Sequence, residues 1–327
     1  MIIYRNNSTD AYFNLASEQY LLDTKQGDVF MLWRNDRSVI VGKNQNTYAE
    51  LDVDFVEKNN VKVVRRLTGG GAVFHDKGNV NFTFIVPQSE NATLDFERFT
   101  RPIINALASL GVEGVCLSGR NDILIDGVKI SGNAQSLYNS KTIHHGTLLY
   151  NADLTSLVGA LRVDEEKIKS KGIKSVRNRV CNIVDFMPEK IDVCDFMDYL
   201  EKYVANETGA EIVDFSEEDI KNIRKLADEK YSTWEWNFGQ SKAFTADKKK
   251  RYPFGSVGIQ FSADQGIINQ IKIYGDFFGV ENVDCLASSM VGARVEKAEL
   301  EKVLDGELIA KCISGMDKES FIELVLS

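Results

Sequence analysis

Histidine is the scarcest ionisable residue here: His75, His144 and His145 are all there are in 327 residues. Proline is nearly as rare, with four, and the 24 glycines are an ordinary share. Collagen-like and long disordered tracts are thereby excluded. The five cysteines, Cys116, Cys181, Cys194, Cys285 and Cys312, never fall within ten residues of one another. That spacing excludes C-x-x-C redox pairs and zinc ribbons. An odd count reads as free, mostly buried thiols. Acids outnumber bases, 48 to 39, for a net charge of −9. General nucleic-acid binding is disfavoured, although a local basic patch is not. No apolar run is long enough for a bilayer, and Met1–Asn6 leads into no apolar leader core, so a cytoplasmic chain without membrane attachment is expected. There is no G-x-x-x-x-G-K-[ST] phosphate loop, no H-E-x-x-H and no serine-hydrolase elbow, and Gly69–Phe74 fails G-x-G-x-x-G at its last position.

What is present reads as a globular protein, 43% hydrophobic and 27% charged, with chain enough for two domains of roughly 150 residues. Asp10 is placed to cap a helix carrying Phe13, Leu15, Ala16, Tyr20 and Leu21 at helical spacing. Strands are expected at 29–33, 38–41 and 61–65, with a short helix at 52–59 before the last. The alternation Asn81-Phe82-Thr83-Phe84 predicts a half-buried strand over 79–86. A helix over 95–110 should stop at Gly111. Asp126-Gly127 marks a hairpin between 122–125 and 128–130, and a further strand is expected at 142–150. Helices should dominate after residue 150, at 154–161, 163–169, 191–204 and 217–230. The polar stretch 240–251 reads as a linker or long turn. A hairpin, 256–261 with 267–274, and two helices follow. Hairpins outnumber strand–helix–strand units, so the expected class is α+β with mostly antiparallel pairing, in two domains, 1–245 and 246–327.

Three constellations carry chemistry, and all three histidines lie in or near them. In Arg65-Arg66-Leu67-Thr68-Gly69-Gly70-Gly71-Ala72-Val73-Phe74-His75-Asp76, the glycines let successive N–H groups face one ligand, and Arg66 suits a phosphate or carboxylate. A glycine-rich bulge or tight hairpin is the bland alternative. In Gly119-Arg120-Asn121-Asp122 with Lys129-Ile130-Ser131-Gly132-Asn133-Ala134, simple alternation puts Lys129 on one face with Ser131 and Ile130 on the other. Small neighbours leave room for a ligand over the ammonium group; an ordinary edge-strand lysine is the alternative. The run 167–179 holds six basic residues and no acid. It suits a loop closing over a polyanion, a dock for an acidic protein, or a solvated surface.

In this order the motifs resemble the lipoate–protein ligase family of the biotin/lipoate ligase fold. R-R-x-[ST]-G-G-G-A-V-F-H-D is matched at Arg65–Asp76, G-N-x-N-F at Gly78–Phe82 and K-[IF]-S-G-x-A at Lys129–Ala134. H-H-G-T-L-L is matched at His144–Leu149 and K-S-V-R-x-R-V at Lys174–Val180, while Phe13–Ala16 and Leu32–Arg34 fit as well. The likeness is strong over about 1–240 and weaker beyond. It implies a large catalytic domain, a sheet flanked by helices, and a small α+β accessory domain. It implies that lipoate's carboxylate attacks the α-phosphate of ATP, with Mg2+, giving lipoyl-AMP. A lysine of an acceptor then displaces AMP. That acceptor would be a lipoyl domain of a 2-oxoacid dehydrogenase complex or the glycine-cleavage H protein, and the enzyme a monomer.

By the same resemblance Lys129 is catalytic, binding the α-phosphate or acyl oxygen. Arg66, Thr68, Gly70, Gly71, Ala72, Val73, Phe74, His75, Lys174 and Arg177 join it around the nucleotide, with Phe74 or His75 beside the adenine. Trp33 and His145 line the lipoate tunnel. Asp122 is a magnesium ligand or a partner for Lys129. Residues 174–180 order over the adenylate and keep water off it. Relatives of this fold instead transfer octanoyl groups through a cysteine without ATP, which singles out Cys116 or Cys181. Val115-Cys116-Leu117 reads as a buried strand, which favours inert packing for Cys116.

Overall fold

A computed structural model describes residues 1–88, 93–119, 121–155, 160–161, 180–238, 246–264 and 266–327. Its frame is an eight-stranded sheet in the order β11-β1-β2-β6-β10-β9-β8-β7. The strands are β1 (Ile2–Arg5), β2 (Val29–Trp33), β6 (Asn79–Pro87), β7 (Val115–Ser118), β8 (Asp122–Ile125), β9 (Val128–Tyr138), β10 (Lys141–Leu149) and β11 (Glu211–Asp214). Pairing is parallel at β11–β1 and β1–β2 and antiparallel elsewhere. A second sheet joins β3 (Ser38–Val41) between β4 (Lys62–Arg65) and β5 (Val73–His75).

Both faces of the large sheet are covered, which is why β2 is an unbroken apolar run, Val-Phe-Met-Leu-Trp. Phe30, Leu32, Phe82, Phe84, Ile123 and Leu148 face one core. It is sealed by α3 (Phe96–Ser109) and α4 (Val193–Thr208), which contribute Phe99, Ile103, Phe196 and Leu200. On the other face, Val29, Met31, Trp33 and Ile85 meet Phe13, Leu15 and Leu22 of α1 (Ala11–Thr24). The Asp10 carboxylate accepts from Tyr12 N–H and caps that helix. The small sheet covers the rest of this face, with Ile40 and Val64 in the same core. Behind it, Val39, Val41 and Phe74 pack with Val56 of α2 (Val53–Lys58).

The alternation in β6 has a different meaning from the expected one. Every residue from Asn79 to Val86 is buried. Its polar row is turned not to solvent but to the space between the two sheets. The helix expected over 217–230 is α5 (Glu217–Leu226) followed by a wider π-type turn, Ala227–Tyr231. The helix expected at 163–169 lies outside the described residues, as do residues 156–159 of the one expected at 154–161.

The rest of the chain builds its own core on the sheet β12-β13-β14. These strands are β12 (Ala246–Tyr252), β13 (Gly255–Asp264) and β14 (Ile267–Gly275). Residues 246–251 of the expected linker therefore belong to β12, whose alternating exposure and lysines mark it as an edge strand, while 240–245 lie outside the described residues. Four helices follow rather than two: α6 (Val283–Met290), α7 (Lys297–Val303), α8 (Gly306–Cys312) and α9 (Lys318–Leu326). The unit touches the larger one through Gly275 N–H, donated to Asn44 O at 3.1 Å, and through Phe277 and Phe278. No described helix is long and apolar enough to cross a membrane.

Candidate active site

A cavity of about 170 Å³ opens between the large sheet and the small one. Its floor is Trp33, Asn81, His145 and Thr147; its roof is Ile40, His75 and the glycine loop; Lys129 stands on one side. The motifs meet here because β9, β10, β6 and β2 are neighbours while the glycine loop joins β4 to β5.

Lys129 is not placed by simple alternation. The β8–β9 register slips, so that Ser131 opposes Ile123 and Lys129 opposes Leu124, leaving Ile130 as the extra residue of a bulge. Ile123 faces the core, and Ser131 goes with it, buried. Lys129 falls instead on the cavity side, where a Cβ on Gly132 would stand 3.0 Å from its Nζ. The lysine reaches Asp122 at 2.7 Å, both about one-third exposed, so the pair sits at the mouth. Asn121 beside it is tied to β9, its Nδ2 donating to Asn133 O at 2.7 Å. Val180 bridges Lys129, and Cys181 N–H donates to Lys129 O at 3.1 Å. Val180, the last residue of the Lys174–Val180 motif, thus lies against the motif lysine. Lys174 and Arg177 themselves lie outside the described residues, as does Arg120.

The two arginines have different work. Arg65 is buried and donates to the carbonyls of Gly42, Lys43, Gln45, Trp236 and Asn237 and to Thr47 Oγ1. It staples two loops, and burial pushes it down to about 10. Arg66 lines the cavity, yet its Nε donates to Thr68 Oγ1 and its terminal nitrogens to Ile40 O, Gly69 O and Gly71 O. From the cavity wall it holds the glycine loop in shape. Burial likewise pushes it down to about 10, against the pull of Glu18.

Arg66 also starts a hydrogen-bonded chain through the floor. Thr68 Oγ1 lies 2.7 Å from His145 Nε2, and His145 Nδ1 lies 2.8 Å from Glu18 Oε1. From the far side, Trp33 Nε1 donates to Thr83 Oγ1 at 2.8 Å, and Thr83 donates to Glu18 Oε1 at 2.6 Å. Arg66 and Trp33 can only donate, so both arms run toward Glu18 and assign His145 its proton on Nδ1. Glu18 is 2% exposed. It escapes a motif-based reading, although an acid among Leu15 and Leu22 on one stripe of α1 is a signal.

His75 lines the cavity with Nε2 buried and unpartnered, while its Nδ1 lies 3.1 Å from Asn35 Nδ2. Burial, helped by Arg66 and His145, pushes it down to about 3. Phe74 is not beside it: strand alternation sends that ring into the core behind β3. His144, next to His145, points to the opposite core, stacked on Phe82 and Phe99. Gly70 N–H, one of the expected anion donors, is given to Phe277 O at 3.2 Å. Asp76 is a turn residue, accepting from the N–H groups of Gly78, Asn79 and Asp153.

Of the cysteines only Cys312 is buried; Cys116, Cys194 and Cys285 are exposed. The expected burial of Cys116 fails because it faces away from the core, opposite Leu124, which in turn opposes Lys129. Two strand spacings, about 9.6 Å, separate the row positions of Cys116 and Lys129. Cys181 is half-buried, and burial with Asp185 pushes its thiol up, away from the reactive thiolate.

Residues 10–205 match the family model of the lipoyl protein ligase A/B catalytic domain, and 241–325 that of the bacterial lipoate protein ligase C-terminus. The chain is 40% identical to lipoate-protein ligase LplJ of Bacillus subtilis, covering 99% of each. It is 41% identical to lipoate–protein ligase 1 of Staphylococcus aureus, again over 99% of each. Among solved structures, a lipoate-protein ligase A bound with ATP matches at TM-score 0.62 and 26% identity, over 73% of this chain and 99% of that one. A lipoate complex from P. falciparum shares the fold over 99% of this chain and 98% of that one, at TM-score 0.81 and 24% identity.

Proposed function

The chain belongs to the lipoyl protein ligase A/B family, and from that premise we propose that it is an ATP-dependent lipoate–protein ligase, activating lipoate to lipoyl-AMP and passing the lipoyl group to a lysine of an acceptor lipoyl domain. The observation that carries this reading is one cavity with a lysine–carboxylate pair at its mouth, a glycine loop as roof and an apolar slot behind. Lipoate's tail needs such a slot, lined by Trp33, Leu15, Ile40 and Ala134. Its carboxylate would lie toward Lys129.

In the first step a carboxylate oxygen attacks the α-phosphorus and pyrophosphate leaves. Charge gathers on the α-phosphate and acyl oxygens, where Lys129 offers a cation already oriented by Asp122. Gly71 and Ala72 line the roof over the same space, with Val73 beside them. The unpartnered His75 Nε2 supplies one more polar contact for the bound acid or adenylate. Thr68 and His145 act through the buried chain, holding the floor rigid. In the second step the acceptor's ε-amine attacks the acyl carbon and AMP departs. The mixed anhydride is already activated, so no protein nucleophile is required. Lys174 and Arg177 would join from the segment that ends beside Lys129.

Mg2+ characteristically takes one or two carboxylates plus substrate phosphates. Asp122 is a single carboxylate at the mouth, and the described residues hold no cluster of three acidic, histidine or cysteine side chains. That donor set fits an ion arriving with the nucleotide, with Asp122 shared between it and Lys129; the ion would neutralise phosphate charge. We place the domain division at 245/246 and take the enzyme as a monomer. The acceptor would be a 2-oxoacid dehydrogenase lipoyl domain or the glycine-cleavage H protein.

The deciding experiment is the intact mass of an apo lipoyl domain after incubation with this protein and lipoate, with and without ATP and magnesium. Gain of one lipoyl group only with ATP is expected. Transfer from octanoyl carrier protein without ATP would move the chemistry to Cys116 or Cys181.

A further inference from the structure

Among the described residues lining the cavity, one alone comes from the C-terminal domain: Phe278. We propose that Phe278 is a specificity-determining residue whose ring walls the acid slot at the end away from Lys129 and so sets the acyl tail the enzyme accepts. The proposal rests on the ligase reading above.

Sheet register places the ring. Gly132 and Thr147, joined by a hydrogen bond from Gly132 N–H, lie in the row beside Lys129. Ala134 pairs with His145, two residues farther along each strand, or about 6.8 Å from that row. Phe278 packs on Ala134 and on Phe96, the two rings 5.6 Å apart at 61°. It therefore stands over the distal row, where a carboxylic acid anchored near Lys129 would carry its tail.

The placement is specific to this side chain. Phe277, one residue earlier, is fully buried in the C-terminal core, while Phe278 crosses the boundary and is 2% exposed. The step is held from behind: Asp276 pairs with Arg251 at 3.0 Å, and Phe278 O accepts from Ser314 N–H at 2.8 Å. In front, the glycine loop yields to it. A Cβ on Gly70 would lie 3.1 Å from the Phe278 ring, and one on Gly69 2.6 Å from Phe277 O. The small Ala134 opposite leaves the ring as the bulk that limits this end of the slot.

The test is acid-dependent ATP–pyrophosphate exchange by the full-length protein with lipoate, octanoate, decanoate and dodecanoate. Phe278→Ala should raise the kcat/KM ratio of decanoate over octanoate about tenfold, the scale of a pocket gaining room for two methylenes. Phe278→Leu, which keeps an apolar contact should the alanine variant not fold, should move the ratio the same way by less. Phe278→Trp should disfavour lipoate, with its broader ring, more than octanoate. Equal loss on all acids, or ratios within twofold of the unaltered protein in the folded variants, would overturn the proposal and leave Phe278 a packing residue. Absence of acid-dependent exchange in the unaltered protein would overturn the ligase reading, and the proposal with it.

Discussion

Replacing Glu18 by glutamine tests whether the floor of the cavity is held by charge. The side chain keeps its shape and an acceptor oxygen, but the bonds from Thr83 at 2.6 Å and His145 at 2.8 Å cease to be charge-assisted. A hydrogen bond to a charged group contributes about 1.5–3 kcal/mol and a neutral one about 0.5–1.5, so each bond weakens by about 1 kcal/mol. The two together cost about 2 kcal/mol. The attraction between Glu18 and the buried Arg66 is lost as well, which makes that figure a lower one. Urea unfolding followed by tryptophan fluorescence is the assay, because Trp33, Trp234 and Trp236 all lie before residue 246. Trp33 is itself in the chain of hydrogen bonds. At a slope of about 2 kcal/mol per M, the midpoint should fall by roughly 1 M. A fall below about 0.25 M would refute the claim that Glu18 accepts both arms as a buried charge.

Lys129→Ala should abolish adenylate formation with the melting temperature preserved, since its ion pair is partly exposed and worth at most about 1 kcal/mol; pyrophosphate release at the unaltered rate would refute its role. Cys116→Ser, a surface change, should leave ATP-dependent transfer within about twofold, whereas a hundredfold loss in folded protein would favour a cysteine route. His75 and His144 fold uncharged, His75 near 3 and His144 well below its ordinary 6.5, both chiefly through burial. The unfolded chain binds their protons first, so stability is full above pH 6.5 and falls below it by up to about 1.4 kcal/mol per pH unit for each histidine. Urea midpoints from pH 8 to pH 4.5 measure this, and a flat profile would contradict it. Gly69→Ala puts a Cβ 2.6 Å from Phe277 O and should loosen the domain contact, read as faster hydrogen exchange at the Gly70 amide; unchanged exchange would show that the contact is not needed.

The parts of this fold legible in advance are those in which neighbours along the chain decide the outcome. Asp10 caps α1, Asp126 and Gly127 take positive φ at 49° and 82° in the hairpin turn, and Gly111 takes 81° beyond α3. Each follows from the residue's own conformational preference. What alternation could not supply is the identity of the neighbour across a strand. The polar row of β6 looks solvent-facing in sequence because nothing local distinguishes water from a polar cavity. The bulge at Ile130 is equally silent, since an inserted residue changes the face of a lysine without changing its surroundings in sequence. Nine of the fourteen expected site residues do line one cavity, but Phe74 shows that membership of a contiguous motif does not place a side chain on the ligand side. In a strand, alternate residues must face away.

The glycine run makes the limit sharpest. Three glycines in a row fit close approach of a phosphate or carboxylate, and Gly70 and Gly71 do line the cavity. Yet a side chain at Gly69 would meet another part of this chain, Phe277 O at 2.6 Å, and one at Gly70, where φ is already 91°, would meet both Arg66 Nη2 at 3.0 Å and the Phe278 ring at 3.1 Å. Gly42, 27 residues before Gly69, is constrained in turn, because a Cβ there would sit 2.0 Å from Gly70 O. One loop is thus packed against the cavity on one side and the C-terminal domain on the other. Both demands select glycine, so the motif alone cannot separate them. They separate by position: Gly69 is set against the second domain, Gly71 has open space with only Asp276 Cβ near at 4.0 Å, and Gly70 serves both. An alanine at 71 should therefore be read in substrate binding, and one at 69 in the docking of the domain that carries Phe278.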